Sequence, residues 1–323
     1  MKQLTATVIV PLLAMLVVVP IGCAQRPAAV QVTTRPSADD QSVVRLTNGL
    51  IDATIEPAKG RITEFRFVGG PNVLWGNQAS DLSKDAWKNW GGDKVWLWPQ
   101  ADWKRRQGAE WPPPGDPPME PYDVRLIENG LIMTSPVIEA YGVRIVREIT
   151  MQPGTPRMTI VNRAEVADAA KAGGMGLWAV TQVPPVDEVR VTPRFARSPA
   201  GVNSPVYPKV LGTFKGRWPA AQPSPIWPGD IIFTRPTAET AKVGIDADKL
   251  RVKIGDAYFM QQAMFSPTAG EFDPAERAQL YTQPDRPAGM GYTELEFITP
   301  LWDAKQLVDG NLTVIWTLWH PPR

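Results

Sequence analysis

From Val43 onward, apolar and polar residues alternate in short runs, the period-two signature of strands with one buried face. Val43–Thr47 and Leu50–Ile55 flank Asn48-Gly49, a pair that strongly predicts a hairpin turn. Lys59-Gly60 turns the chain into a third run, Arg61–Phe67, which stops at Gly69-Gly70-Pro71. Further strands are predicted over Tyr122–Ile127, Gly130–Ser135, Val137–Met151, Met158–Arg163 and Gly176–Val183. The last third adds Asp230–Thr234, Ala241–Ile245, Leu250–Ile254, Tyr258–Phe265, Tyr292–Ile298 and Leu312–Trp319. No segment carries a convincing helical period, and no repeat of fixed length is visible. With 34 prolines and 26 glycines to serve the turns, the pattern specifies an all-β protein. No linker-like break interrupts residues 43–323, so a single domain is expected there.

The stretch Trp75–Trp111 interrupts the alternation. It holds seven of the 13 tryptophans: Trp75, Trp87, Trp90, Trp96, Trp98, Trp103 and Trp111. Gly91-Gly92, Asp93, Lys94, Asp102, Lys104 and the run Pro112-Pro113-Pro114 lie among or beside them. Cores are normally built from aliphatic residues, because a buried indole N–H must find an acceptor. Tryptophans among Asp, Asn, Gln and Lys suit the wall of a cleft that grips something flat and polar. A sugar ring fits, with its C–H face on an indole and its hydroxyls on side-chain donors and acceptors. A long loop that folds its tryptophans into a satellite cluster has the same composition. On either reading this stretch is expected to be loop.

The N-terminus reads as an export signal. Met1-Lys2 is followed by a nearly continuous apolar run, Val8–Val19, too short for a comfortable membrane span. The run ends at Pro20-Ile21-Gly22-Cys23, which resembles a bacterial lipobox, although Pro20 stands where Leu is usual. Cys23 is the only cysteine, so no intramolecular disulfide exists and lipidation explains its presence. Residues 1–22 are therefore expected to be a lipoprotein signal peptide. Residues 23–42 follow as a flexible tether, rich in Ala, Pro, Thr and Ser. The domain would stand in the periplasm or outside the cell, anchored to the outer or plasma membrane.

Charge narrows the function further. The sequence has 34 Lys+Arg against 33 Asp+Glu, which argues against nucleic acid as a partner. A single histidine, His320, and a single cysteine exclude His-cluster and thiolate metal sites, and no Gly-x-Ser-x-Gly elbow is present. No cofactor is expected and no metal ligand is assigned, while a divalent cation held by Asp and Glu stays an open alternative.

The order of motifs resembles galactose mutarotase-like domains. Asn48-Gly49-Leu50-Ile51 followed by Glu56-Pro57-Ala58-Lys59-Gly60-Arg61-Ile62 is similar to their opening, and Tyr141–Met151 to their long central strand. Met158–Asn162 with Leu177–Gln182, and Tyr292–Phe297 with Leu312–Trp319, resemble the strands that follow and close the fold. Gly91-Gly92-Asp93-Lys94-Val95-Trp96, with Pro99-Gln100 and Trp111-Pro112-Pro113, is similar to a bacterial lipoprotein family of unknown function in that superfamily. The resemblance implies a large antiparallel β-supersandwich with a concave, carbohydrate-binding face. It also implies a catalytic pair, a Glu base and a His acid, that open a hemiacetal ring. Here the position before Leu177 holds Met175-Gly176, so the acid is missing.

Several residues are candidates for the site. Glu294 and Glu296 lie where the family's base falls and share one sheet face; both are catalytic candidates, though solvated surface glutamates have the same pattern. Asp93, as an acid paired with Glu296, and Lys94 would otherwise hydrogen-bond sugar hydroxyls or form a loop ion pair. Trp90, Trp96 and Trp103 are candidate cleft walls. Trp178 and Gln182 share a face and offer a stacking surface and an amide, with Trp178 equally suited to the core. Arg144 and Arg147, three apart, point to opposite faces, so at most one enters a cleft; Arg144 is carried as a binding candidate. The expected function is a lipid-anchored envelope protein that binds mono- or oligosaccharide without ordinary mutarotase chemistry. Two alternatives stay open. One is a carbohydrate-active enzyme, an epimerase or polysaccharide-processing activity, that works with carboxylates and Lys94. The other is a structural envelope-assembly module with a flat aromatic patch for a partner protein.

Overall fold

A computed structural model describes residues 28–36, 42–76, 87–116, 121–197, 203–205, 209–219, 221–266, 273, 276–286 and 289–321. The signal peptide and Cys23 lie outside the described residues. The strands form two large antiparallel sheets. Along its main path the first runs Gln31–Pro36, Ser42–Thr47, Ile51–Glu56, Arg61–Phe67, Asp93–Trp98, Gly173–Val183, Tyr292–Ile298, Ala278–Gln283, Ala241–Ile245 and Lys209–Val210. The second runs Gln222–Pro223, Ile231–Thr234, Glu188–Pro193, Ala247–Ile254, Ala257–Phe265, Asn311–Trp319, Arg157–Val166, Val143–Met151, Gly130–Thr134 and Asp123–Ile127. This is the antiparallel all-β sandwich that the alternation predicted.

The sheets pack through their alternate, apolar positions. Phe65 of the first sheet meets Phe259 and Trp316 of the second, with ring centroids 5.8 and 5.1 Å apart. A polar network crosses the same interior. The buried Arg147 guanidinium ion-pairs with the Asp93 carboxylate and donates to the Asn162 side-chain oxygen at 3.0 Å. Asp93 also accepts from the Thr181 hydroxyl at 2.7 Å, and that hydroxyl accepts from Gln261 at 2.7 Å. Each of these groups therefore meets the requirement that a buried charge or dipole be paired.

Two departures from the sequence expectation concern how the first sheet is built. Gln31–Pro36, read as tether, forms an edge strand paired with Ser42–Thr47. Its β-branched residues favour a strand, and Val32 packs against the core. Asp93–Trp98, read as loop, is a central strand between Arg61–Phe67 and Gly173–Val183. Asp93, Val95 and Leu97 face the inter-sheet interior, while Lys94, Trp96 and Trp98 face away from it. Both faces are covered, so the hydrophobic-in, polar-out signal was absent. The strand is admitted by Gly91 and Gly92, at φ +83° and +67°. A Cβ on Gly91 would collide with the Trp75 carbonyl oxygen, and one on Gly92 with that of Ile62.

Asp93→Ala should cost about 3–5 kcal/mol, because it leaves the Arg147 charge buried without its partner. Urea unfolding measures this. A loss below about 1 kcal/mol would show that the pair contributes little to joining the sheets.

Candidate functional site

The face of the first sheet that points away from the second carries a concave cleft of about 950 Å³. Strand alternation decides which side chains reach it. Asp93–Trp98 sends Lys94, Trp96 and Trp98 to this side, and Gly173–Val183 sends Trp178, Val180 and Gln182. Tyr292, Glu294, Glu296 and Ile298 come from one neighbouring strand, and Gln279, Tyr281 and Gln283 from the next. Register then aligns them across the sheet. Lys94, Val180, Glu296 and Gln279 form one row, and Gln182, Glu294, Tyr281 and Lys242 another. Trp96, Trp178 and Ile298 form a third.

The walls are aromatic. Trp75, Trp96, Trp98, Trp178, Tyr281 and Tyr292 line the cavity, with Trp87 and Trp111 beside them. Trp96 sits edge-on to Trp178 at 5.2 Å and to Trp111 at 5.9 Å, and Trp75 leans on Tyr292 at 4.8 Å. A buried ion pair anchors the surrounding loops: Arg61 Nη2 donates to both Asp116 carboxylate oxygens, at 3.0 and 2.9 Å, and Asp116 also accepts from the Trp87 indole at 2.6 Å. Burial raises the Tyr281 and Tyr292 phenols above their usual range, so both remain protonated hydroxyls.

The polar groups converge on the cleft floor. Gln182 donates to Glu294 at 2.7 Å, and the Lys94 ammonium stands 3.8 Å from the same carboxylate oxygen. Glu296, fully buried behind Trp178 and Lys242, accepts from the Trp178 indole at 2.6 Å and from the Lys242 ammonium at 2.8 Å. Its carboxyl is pushed up to about 7 by burial, against the pull of Lys242 and with some help from Glu294. Lys94 is brought down to about 8 by burial and then by the Arg61 charge, against the pull of Glu294. Lys94 and Glu296 flank Val180, two strand spacings or roughly 10 Å apart between backbones. Among the described residues, Lys94 Nζ, Trp96 Nε1, Gln182 Oε1 and Glu296 Oε1 are buried with no hydrogen-bond partner. Buried polar groups are rarely left unmatched, so donors and acceptors of a ligand or water would satisfy this set.

The candidates from sequence divide accordingly. Glu294, Trp96, Trp178 and Gln182 line the cleft, whereas Lys94 and Glu296 are buried behind that lining and are not among the residues that line the cavity. Asp93 is corrected: it cannot share a face with Lys94 on a strand, and it is held in the inter-sheet interior by Arg147 and Thr181. Arg144 is also corrected, since it lies on the outer surface of the second sheet and pairs with Glu165 at 3.6 Å. Arg147 turns inward to Asp93, so neither arginine enters the cleft. Trp103 is fully buried behind the lining, its indole donating to the Leu97 carbonyl at 2.8 Å. Trp90 packs against the Arg61 guanidinium, 5.6 Å from its ring centroid, and is not among the residues that line the cavity. Lys242, Tyr281 and Tyr292 went unnoticed in the sequence. Each lies on the cleft-facing side of its strand; Tyr292 shares a strand with Glu294 and Glu296, and only the sheet order brings Tyr281 and Lys242 beside them.

No family model and no curated protein sequence matches the chain. Solved structures do match. YeaD from Salmonella typhimurium, a protein with a provisional mutarotase assignment, aligns over 92% of this chain and 97% of its own. Its identity is 11% and its TM-score 0.54. A protein provisionally assigned as an aldose 1-epimerase, from Klebsiella pneumoniae subsp. pneumoniae MGH 78578, aligns over 90% of this chain and 84% of its own. There the identity is 9% and the TM-score 0.51. At such identities the likeness is one of fold. The chain has the galactose mutarotase-like fold that its sequence resembles.

Glu296 gives this site a measurable pH signature. Its folded-state value lies above the ordinary carboxylate value, so the stability it contributes is complete below about pH 4.5 and is lost as pH rises toward 7. Glu296→Gln has no such loss. The Tm difference between variant and wild type should therefore move in the variant's favour from pH 5 to pH 7.5. A difference that stays constant would mean that Glu296 ionises normally.

Proposed function

We propose that the protein recognises carbohydrate in this cleft, with a sugar ring held against Trp96, Trp98 and Trp178 and its hydroxyls bonded by Gln182, Glu294 and Lys242. The observation that carries this reading is the pairing of an aromatic wall with a floor of unmatched donors and acceptors. A hydroxyl both gives and takes a hydrogen bond, and it suits the Trp96 indole N–H on one side and the Gln182 amide oxygen on the other. A free carboxylate would face Glu294 and Glu296, and an amine would face Lys94 and Lys242, so a neutral sugar fits best. The concavity also argues against a flat docking patch for a partner protein. The one histidine, His320, is exposed and stacks on Phe67 at 4.4 Å, away from the cleft-lining residues. Recognition without histidine-dependent ring opening follows from that.

A second reading, catalysis, is favoured by the pair Lys94 and Glu296, both shifted toward neutral pH beside Glu294. In that case Glu294 would take the proton of an anomeric hydroxyl, and Lys94 would deliver one to the ring oxygen.

Titration of the tryptophan fluorescence with neutral mono- and oligosaccharides tests the first reading. A saturable change is expected, about tenfold weaker in Gln182→Ala and unaltered in Arg144→Ala. Polarimetry on any binder separates the two readings. A rate enhancement lost in Glu294→Gln would establish catalysis, and binding without enhancement would leave recognition. No response to any sugar would overturn both.

We further propose that Cys23 carries a lipid that holds the domain at the bacterial envelope. Cys23→Ser should abolish lipid labelling and release the protein from membranes on fractionation. Retention of the variant on membranes would contradict the anchor.

A further inference from the structure

On the opposite side of the sandwich, the outer face of the second sheet carries a smaller concavity of about 550 Å³. Arg190, Arg251, Lys253 and Tyr258 line it, together with the loop from Pro184 to Glu188. Register sets its side chains in two rows. Lys253, Tyr258 and Trp319 stand opposite one another on three neighbouring strands. Arg190, Arg251, Met260, Thr317 and Arg157 do so on five.

Two arginines directly opposite each other on one sheet face repel, an arrangement that lowers stability by itself. Here Arg190 and Arg251 both lie against the Trp227 ring, at 4.9 and 5.6 Å from its centroid. Trp227 meets Tyr258 edge-on at 5.5 Å, and Tyr258 stacks on Trp319 at 5.2 Å with the rings 12° apart. The acids nearby engage the two arginines, and Asp256 on the turn beside Lys253 faces His320 at 3.7 Å. Asp230 is taken by Arg251 and by the Thr192 hydroxyl, and the exposed Glu188 reaches Arg190 at 3.4 Å. Asp187 stands on the loop. Arg157, on the second row, and Lys253, on the first, have no ion-pair partner among the described residues. Arg157 and Lys253, exposed and on the strands either side of the Tyr258–Trp319 pair, are therefore open to the carboxylates of an anionic chain.

We propose that this face binds an acidic polysaccharide, a polymer of uronic acids, with its carboxylates on Arg157, Arg190 and Lys253 and its rings over the Tyr258–Trp319 pair. The sugar nature of the carrier rests on the carbohydrate reading of the cleft; the anionic requirement rests on the charges of this face alone. The half-buried aromatic strip and the neutral overall charge favour a glycan over a nucleic acid, which commonly demands a strongly basic protein.

Fluorescence anisotropy of a labelled galacturonate oligomer, mixed with the intact protein at low salt, tests the proposal. Saturable binding is expected, lost on raising the salt and weakened about tenfold or more by the double charge reversal Lys253→Glu with Arg157→Glu. Both positions point away from the core, so an unchanged Tm would certify the fold of the double variant. Gln182→Ala, which alters the cleft, should leave oligomer binding intact. The proposal fails if the double variant binds as wild type, if Gln182→Ala abolishes oligomer binding, or if no oligomer binds. It fails too if an oligothymidylate of equal charge binds more tightly, which would make the surface a general polyanion site. Because the probe and the double variant differ from those used for neutral sugars, a silent cleft would not decide this result.

Discussion

The Arg147–Asp93 ion pair fixes more than a contact between two sheets. Asp93 opens the strand Asp93–Trp98, and tying its carboxylate to a guanidinium in the interior commits one parity of that strand inward. The other parity, Lys94, Trp96 and Trp98, must then face the cleft. A slip of one residue would carry the two cleft indoles into the interior and expel Val95 and Leu97. Thr181 and Gln261 extend the same network to two further strands, so Trp178 and Gln182 are set by the same constraint. The cleft on one side of the sheet is thus held in register by charges buried on the other.

Much of the scaffold was legible because most strands bury only one face. Ser42–Thr47, Ile51–Glu56 and Asn311–Trp319 alternate clearly, and Asn48-Gly49 marks its turn without help from the rest of the chain. Illegible elements were of two kinds. Asp93–Trp98 is covered on both sides, by the sandwich interior and by the aromatic cleft, so it lacked the contrast that alternation requires. Ala278–Gln283 carries Gln, Tyr and Gln on its cleft face and reads as an unremarkable polar segment.

Site residues followed the same logic. Glu294 and Glu296 were found because they fall where the resembled family carries its base, and their spacing puts both on one face of that strand. Asp93 and Lys94 were grouped by proximity, yet neighbours on a strand face opposite ways, and only Lys94 belongs to the cleft. Lys242 and Tyr281 depend on which strands end up adjacent, and that information is non-local. Arg61 and Asp116 are 55 positions apart, and no local pattern suggests that they would clamp the loops around the cleft.

The indoles of Trp87, Trp96, Trp103, Trp111 and Trp178 form a connected set, with neighbouring centroids between 4.6 and 6.3 Å. At such separations their transition dipoles couple, and excitation is shared among the rings instead of staying on one. The cluster is therefore a single chiral chromophore, and its near-ultraviolet dichroism reports the arrangement of the whole wall. A tilt of one exposed ring, such as Trp111, alters the signal of rings that do not move. The same packing that shapes the cleft makes it an optical gauge of its own geometry.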